Sequence, residues 1–277
     1  MKKNFLLLGI LIFIFLIFKN YSLILDSTIT ASSIWFYKVF PYLFIMIIIQ
    51  DILITLNLST LFTPSLYIFF MSLLSGTPSS AFITGNMVKN KQISSSYGNN
   101  CLLYTYFANP LFLYTILFAI FNDYKIVVKL MLIHYLSNFL IFLFFHEKKT
   151  SIIPYDNKRK LNLSASIKTS INTNLLVLGT IAFYFIISNI FLNTFNISKE
   201  LTIILRGFLE MTQGLNALIT TNLPYTELLA ILFISFGGLS IHTQVKCILD
   251  EYNLDYKYFL KGRILQTIIA LILTIIT

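Results

Sequence analysis

Two short stretches of this sequence place hydrogen-bonding groups directly after apolar runs. Hydroxyls, an imidazole and an amide can bind a small polar solute, and backbone groups freed by a helix break can do the same. Histidine titrates near neutral pH, so His242 could also relay a proton. The candidate binding residues are Ser75, Gly76, Thr77, Pro78, Ser79 and Ser80 in the first stretch and Gly237, Gly238, Ser240, His242, Thr243 and Gln244 in the second.

Two further candidates lie outside these stretches. Asn109 precedes Pro110, which leaves a backbone carbonyl without its helical donor, and the Asn109 amide could bind a solute beside it. Glu210 is an acid in a largely apolar region, and an acid at membrane depth is a functional-site hypothesis by default.

Each candidate also has a purely structural interpretation. The two polar stretches could simply satisfy a helix break, His242 could be a neutral histidine bonded between helices, and Asn109 could mark a packing kink. Glu210 could pair with Arg206, four residues earlier on the same helix face. His134 and Asn138 are predicted to make an interhelical hydrogen bond, which membrane helices use routinely.

The composition indicates a membrane protein. Of 277 residues, 57% are hydrophobic and only 11% are charged, against about 25% charged in soluble domains. The net charge of +9 fits the positive-inside rule, because the basic residues lie in short loops between spans, and it does not favour nucleic-acid binding. We expect no metal site and no cofactor, and the absence of nucleotide-binding and hydrolase motifs argues against an enzyme.

Apolar runs predict the membrane spans. The N-terminus resembles a signal peptide but has no convincing cleavage site, so we interpret it as an uncleaved first span. The predicted spans are about Phe5–Leu25, Ile34–Leu56, Cys101–Phe121, Ile126–Phe145, Asn174–Phe195 and Leu260–Thr277, and residues Glu200–Asn222 form an amphipathic segment.

Residues 64–90 are predicted to form a re-entrant hairpin. The 12 residues from Pro64 to Ser75 are too few to cross a bilayer, which needs about 20. Lys2 and Lys3 place the N-terminus in the cytoplasm, and Asp26 then lies outside. With residues 64–90 as a hairpin, the basic 147–170 loop also faces the cytoplasm, whereas a full crossing would place it outside.

The two broken segments, about 162 residues apart, share an apolar half-helix, a glycine break and a polar arm. We therefore predict an all-α polytopic membrane protein with two inverted-topology repeats, each with a broken-helix re-entrant hairpin, a design that places solute sites near the membrane midplane. The predicted units are an N-terminal span (1–29), a first repeat (30–146), a basic cytoplasmic linker (147–171) and a second repeat (172–277).

Five motifs in order carry a family resemblance: LSGTPSSA, ANPLFL, HYLSNFL, LEMTQGL and SFGGLSIHTQV. The set resembles the YlbJ-type sporulation integral membrane proteins of the nucleoside-recognition (gate) domain group, over about residues 30–275. The resemblance implies a multi-pass protein of a bacterial cell membrane with a role in spore formation. In that family the first break resembles SGYP followed by a glycine and a basic residue, whereas Thr77, Ser79 and Phe82 stand at those places here.

Two functions follow as expectations. The first is transport of a small polar solute of unknown identity between the two broken helices. The second is a non-transporting membrane assembly factor for the spore envelope or cortex. Besides the lipid bilayer and the solute, the partners that the resemblance allows are a second copy of the chain or other sporulation membrane proteins, and no nucleic acid is expected.

Overall fold

The computed structural model of the chain describes residues 2–55, 62–147, 162–195, 197–221 and 223–277. Across these ranges every regular element is a helix and no strand occurs. Five stretches are long and apolar enough to cross a membrane: Tyr21–Leu53, Tyr124–Phe145, Leu163–Thr194, Thr226–Glu251 and Tyr256–Ile276. The predicted all-α polytopic class is therefore confirmed.

The chain begins with two helices that meet at Asn20. Helix α1 covers Lys2–Lys19, and α2 covers Tyr21–Ile34. A π-helical turn, Trp35–Val39, joins α2 directly to α3, Phe40–Thr55. Pro41 lacks the N–H that would bind the carbonyl four residues earlier, and a π turn accommodates such a gap without ending the helix.

This continuity corrects the first two predicted spans. Asp26 was expected between them, but it lies inside α2 with an exposed side chain. The chain therefore has one long helical stretch, Tyr21–Leu53, where the sequence predicted the end of one span and the start of the next. The mostly polar residues 26–33 suggested a loop between two spans, but the helix continues through them.

The rest of the first half contains five helices: α4 (Pro64–Ser75), α5 (Ser79–Lys89), α6 (Ser95–Cys101), α7 (Pro110–Phe121) and α8 (Tyr124–Phe145). The predicted break at Gly76 is present, because α4 ends there and α5 begins three residues later. The predicted span Cys101–Phe121 is wrong. Residues 102–109 are not helical, and the 12 residues of α7 are about 18 Å long, too short for a crossing.

The second half contains six helices: α9 (Leu163–Thr194), α10 (Lys199–Leu209), α11 (Met211–Ile219), α12 (Thr226–Phe236), α13 (Gly238–Glu251) and α14 (Tyr256–Ile276). Helix α9 starts inside the predicted linker, of which residues 148–161 lie outside the described ranges. The predicted break at Gly237 is present. A second break at Glu210 divides the predicted amphipathic segment and was not expected.

The two halves share one order of helices, with α3–α8 matching α9–α14. Asp-Tyr-Lys starts α8 at 123–125 and α14 at 255–257, and in both cases Asp caps the helix by accepting from the lysine N–H. The 132 residues between these two motifs also separate Pro78 from Glu210, the residues that precede α5 and α11. The same spacing relates His134 to Gln266.

Packing between the halves follows this correspondence. Helix α5 packs on α13 and α7 on α11, while α6 packs on α14 and α8 on α12. Helices α8 and α14 pack on each other, and the Gln266 amide nitrogen donates to the His134 carbonyl at 3.0 Å. His134 and Gln266 therefore meet near the middle of both helices.

Candidate functional site

A cavity of about 80 Å³ lies where the helix breaks of the two halves converge. At about 10–15 Å³ for each water, this space holds roughly five to eight water molecules, so a solute that fills it is small. Its polar lining is contributed by both halves, and apolar residues such as Val39, Leu43, Val177 and Ile181 complete the wall. The main polar lining residues are Lys38, Ser75, Thr77, Asn109, Glu210 and Gln244.

The first break supplies hydroxyl and amide groups. Thr77 N–H donates to the Phe107 carbonyl at 2.9 Å, which ties the break to the non-helical segment 102–109. Ser75 donates its hydroxyl to the Met71 carbonyl, whereas the buried Thr77 hydroxyl has no protein partner. Asn109 caps α7 by accepting from the backbone N–H of Leu111 and Phe112.

Side chains from α8 hold the non-helical segment 102–109. The Asn138 amide donates to the carbonyls of Tyr104 and Tyr106 at 2.7 and 2.8 Å. His134 Nε2 accepts from the Ala108 N–H at 3.2 Å. Backbone groups that lack helical partners at membrane depth need such bonds. The predicted interhelical bond is present at His134, whose Nδ1 lies 3.3 Å from the Gln266 amide nitrogen of α14, whereas Asn138 bonds to the non-helical segment beside the cavity.

Glu210 is the acid of the cavity. Its side chain is buried and caps α11, accepting from the Gln213 N–H at 2.7 Å, from the Thr212 hydroxyl and, more weakly, from the Ser240 hydroxyl at 3.4 Å. The alternative of an ion pair with Arg206 is wrong. Among the described residues the two ion pairs are Lys129–Glu227 and Lys246–Asp250.

The Gly237 break is held differently. Its φ of 91° and ψ of −6° are left-handed, a conformation that glycine adopts at no steric cost. The Ile234 carbonyl accepts from the Tyr106 hydroxyl at 3.0 Å, and the Phe236 carbonyl lies 3.0 Å from His242 Nε2. His242 Nδ1 lies 2.7 Å from the Tyr256 hydroxyl, so both ring nitrogens are already engaged.

The structure brings five of the predicted site residues to the cavity: Ser75, Thr77, Asn109, Glu210 and Gln244. The others form or support the breaks. Thr243 bonds to Tyr184 and Ser240 to Glu210, while the buried Ser79 hydroxyl has no protein partner. Residues of this group that lie outside the cavity lining are Gly76, Pro78, Ser79, Ser80, Gly237, Gly238, Ser240, His242 and Thr243.

Two buried or lining cations were missed by sequence reasoning. Lys38 lines the cavity, and the fully buried Arg263 stacks on the Tyr106 ring with its guanidinium carbon 4.3 Å from the ring centroid. Arg263 also donates to the Gln266 side chain and to the Leu103 carbonyl. Lys38 lies inside an apolar run and Arg263 near the start of the predicted last span, and a cation inside a predicted span is itself the signal that could have found them.

One curated protein shows sequence similarity to the chain. It is the sporulation integral membrane protein YlbJ of Bacillus subtilis (strain 168), which is 23% identical over 306 residues, with 88% of this chain and 75% of that protein covered. The resemblance predicted from the five motifs is confirmed by this match. No family model matches the chain. No solved structure matches it either. The similarity and the five apolar helices together support a multi-pass membrane protein.

Proposed function

We propose that this protein transports a small polar solute through the cavity between its two halves. The cavity itself carries the proposal, because broken helices place hydroxyl, amide and charged groups in an otherwise apolar protein. Polar groups at membrane depth are costly unless they are bonded or line an aqueous path. The unpartnered hydroxyl of Thr77 is the clearest group left for a ligand.

The two halves form an inverted-topology repeat in this proposal. The 132-residue spacing pairs the break before α5 with the break at Glu210, and the helix order pairs the segment 102–109 with Gly237. This pairing differs from the sequence-based one, which matched Gly76 with Gly237. Re-entrant hairpins α4–α5 and α10–α11 then enter from opposite sides, with the N-terminus cytoplasmic, and rocking of one half against the other exposes the cavity alternately.

Sporulation is the proposed biological setting. The name of the similar Bacillus subtilis protein supports it, and the solute would then move across a membrane of the sporulating cell. The cavity favours transport over the alternative role as a membrane assembly factor, since an assembly role gives no reason for polar groups to face an internal space.

A thermal-shift screen of the protein in lipid nanodiscs tests the proposal. The panel contains amino acids, polyols, nucleobases, nucleosides, small carboxylates and divalent metals. A ligand at 100 times its dissociation constant adds about 2.7 kcal/mol of stability. Solutes that stabilise the protein are then tested for flux in reconstituted vesicles.

Two matched variants test whether the ligand that stabilises the protein binds in the cavity. Thr77→Val removes a hydroxyl that has no protein partner, so it should weaken ligand stabilisation without unfolding the protein. Thr115→Val is the control, because Thr115 is exposed and lies outside the cavity lining. If no compound stabilises the protein or crosses the vesicle membrane, the transport proposal is wrong and the assembly role becomes the better explanation.

A further inference from the structure

Two opposite charges face the same cavity without pairing with each other. Lys38 and Glu210 both line it, and no ion pair joins them. We infer that the solute is a small zwitterion, with a carboxylate that binds Lys38 and an ammonium group that binds Glu210. This inference rests on the transport proposal and specifies the solute class of that cavity.

Lys38 has spare hydrogen-bonding capacity. It lies halfway along the 33-residue apolar stretch Tyr21–Leu53, inside the π-helical turn, where an unpaired cation is costly. Its ammonium group makes one hydrogen bond, 3.2 Å to the Asn216 side-chain oxygen. Of its three N–H donors, two therefore remain for a carboxylate in the cavity. Such π turns are frequent at functional sites, which fits the placement of Lys38 in one.

Glu210 has spare acceptor capacity on one oxygen. Oε2 accepts from the Thr212 hydroxyl and the Gln213 N–H, whereas Oε1 accepts only from Ser240 at 3.4 Å. A carboxylate offers about four acceptor positions in all. All of its donors are neutral, so an ionised Glu210 has no protein counter-charge in contact, and a ligand ammonium group would provide one.

Other cations near the breaks do not substitute for the ligand. Arg206 precedes Glu210 by one turn but does not line the cavity or form an ion pair with it. Arg263 is covered by the rings of Tyr106 and Phe259, and its guanidinium group donates hydrogen bonds to the Gln266 side chain and the Leu103 carbonyl. The space of about 80 Å³ is close to the size of a small amino acid.

The test compares zwitterions with single-charge compounds of matched size at neutral pH and constant ionic strength. Glycine, β-alanine and 4-aminobutyrate provide increasing separation of the two charges, and propionate and propylamine carry one charge each. Thermal unfolding of the wild-type protein in nanodiscs is followed with each compound. We expect at least one zwitterion to raise the melting temperature, with an apparent affinity at least tenfold above those of propionate and propylamine. This arm needs no substitution.

Substitutions of Lys38 and Glu210 test which residue binds each charge of the zwitterion. Lys38→Gln and Glu210→Gln should each weaken zwitterion binding by about tenfold or more, since each removes a charge-assisted hydrogen bond. Lys246→Gln and Glu227→Gln are matched controls that remove charges from ion pairs outside the cavity, and they should leave binding unchanged.

The outcomes separate this inference from the transport proposal. If propionate or propylamine stabilises the protein as well as any zwitterion, or if both cavity variants bind zwitterions normally, the inference is wrong. If a nucleoside or polyol stabilises the protein and loses that effect in Thr77→Val while zwitterions do nothing, the inference fails but the transport proposal stands. If no compound of any class binds, both fail.

Discussion

The two halves of the molecule place similar breaks in similar positions but hold them in different ways. In the first half the non-helical segment covers eight residues, 102–109, and side chains of α8 bind its backbone. In the second half the break between α12 and α13 is the left-handed Gly237, followed by Gly238, whose φ of 68° is also positive. Its neighbouring carbonyls bind His242, from the helix that follows, and Tyr106, from the other half.

The two halves also contribute different polar groups to the cavity. The first half contributes neutral groups at its breaks, Ser75, Thr77 and Asn109, whereas the second half contributes the acid Glu210. Tyr106 links them, because its hydroxyl bonds to the second half while Arg263 stacks on its ring. Two halves with one order of helices can therefore build one cavity with an asymmetric distribution of charge, which suits a solute with distinct ends.

The largest expected effect comes from Asn138, which holds the long break of the first half. Asn138→Leu leaves the carbonyls of Tyr104 and Tyr106 without their donor. Each buried unsatisfied group costs about 1–3 kcal/mol, so the loss of stability should be roughly 2–6 kcal/mol. Thermal unfolding of the detergent-solubilised protein measures it.

Ser235→Ala is the matched change beside the second break. The Ser235 hydroxyl is buried and has no protein partner, so its removal should change the melting temperature little. Equal destabilisation by the two variants would show that the loss in Asn138→Leu does not come from the unsatisfied carbonyls of Tyr104 and Tyr106.

The glycines of the two breaks should both resist a side chain, for different reasons. Gly76 has φ 71° and ψ −178°, a region that essentially only glycine occupies, and an added Cβ would lie 3.2 Å from the Phe107 carbonyl oxygen. Gly76→Ala should therefore cost about 3 kcal/mol. Gly237 is left-handed, which costs other residues roughly 1–2 kcal/mol, and an added Cβ would lie 2.8 Å from the hydroxyl of the buried Tyr106, so Gly237→Ala should also be clearly destabilising.

Gly179 provides the control for both glycine variants. It lies within α9, and an added Cβ would meet nothing within 4 Å. Gly179→Ala should raise stability slightly, because alanine favours helix by about 1 kcal/mol over glycine. Gly179→Ala should melt at or above the wild type and both break variants should melt below it, and a break variant as stable as Gly179→Ala would contradict the strain expected at that break.

Sequence patterns predicted the elements that have strong local signals. The helix breaks at Gly76 and Gly237 were predicted from the glycines themselves. Helix α8 matches its prediction closely because its apolar run is long. The break at Glu210 has no glycine or proline at the junction, and residues 102–109 contain apolar residues that read as helix. Their conformation depends on tertiary bonds from Asn138, His134 and Ser240, which no local pattern records.

The proposed repeat and the site show the same limit. Comparison of glycine patterns paired Gly76 with Gly237, whereas the Asp-Tyr-Lys motif at 123–125 and 255–257 carries the better spacing. Lys38 was overlooked because it lies in a run that otherwise reads as lipid-facing helix. Five of the fourteen predicted site residues reach the cavity, since a helix break exposes some side chains to the space and turns others toward its own backbone.

The smallest expected effect concerns the ion pairs of the two regions. Lys129–Glu227 joins α8 to α12 across the halves with N and O 2.5 Å apart and side chains about one-third exposed, whereas Lys246–Asp250 lies within α13 and is more than half exposed. Double-mutant cycles with Lys→Met and acid→amide changes should give about 0.5–1 kcal/mol for the first pair and about 0.3 kcal/mol for the second. Both should weaken at high salt. A larger coupling for Lys246–Asp250 would contradict the greater burial of the pair that joins α8 to α12.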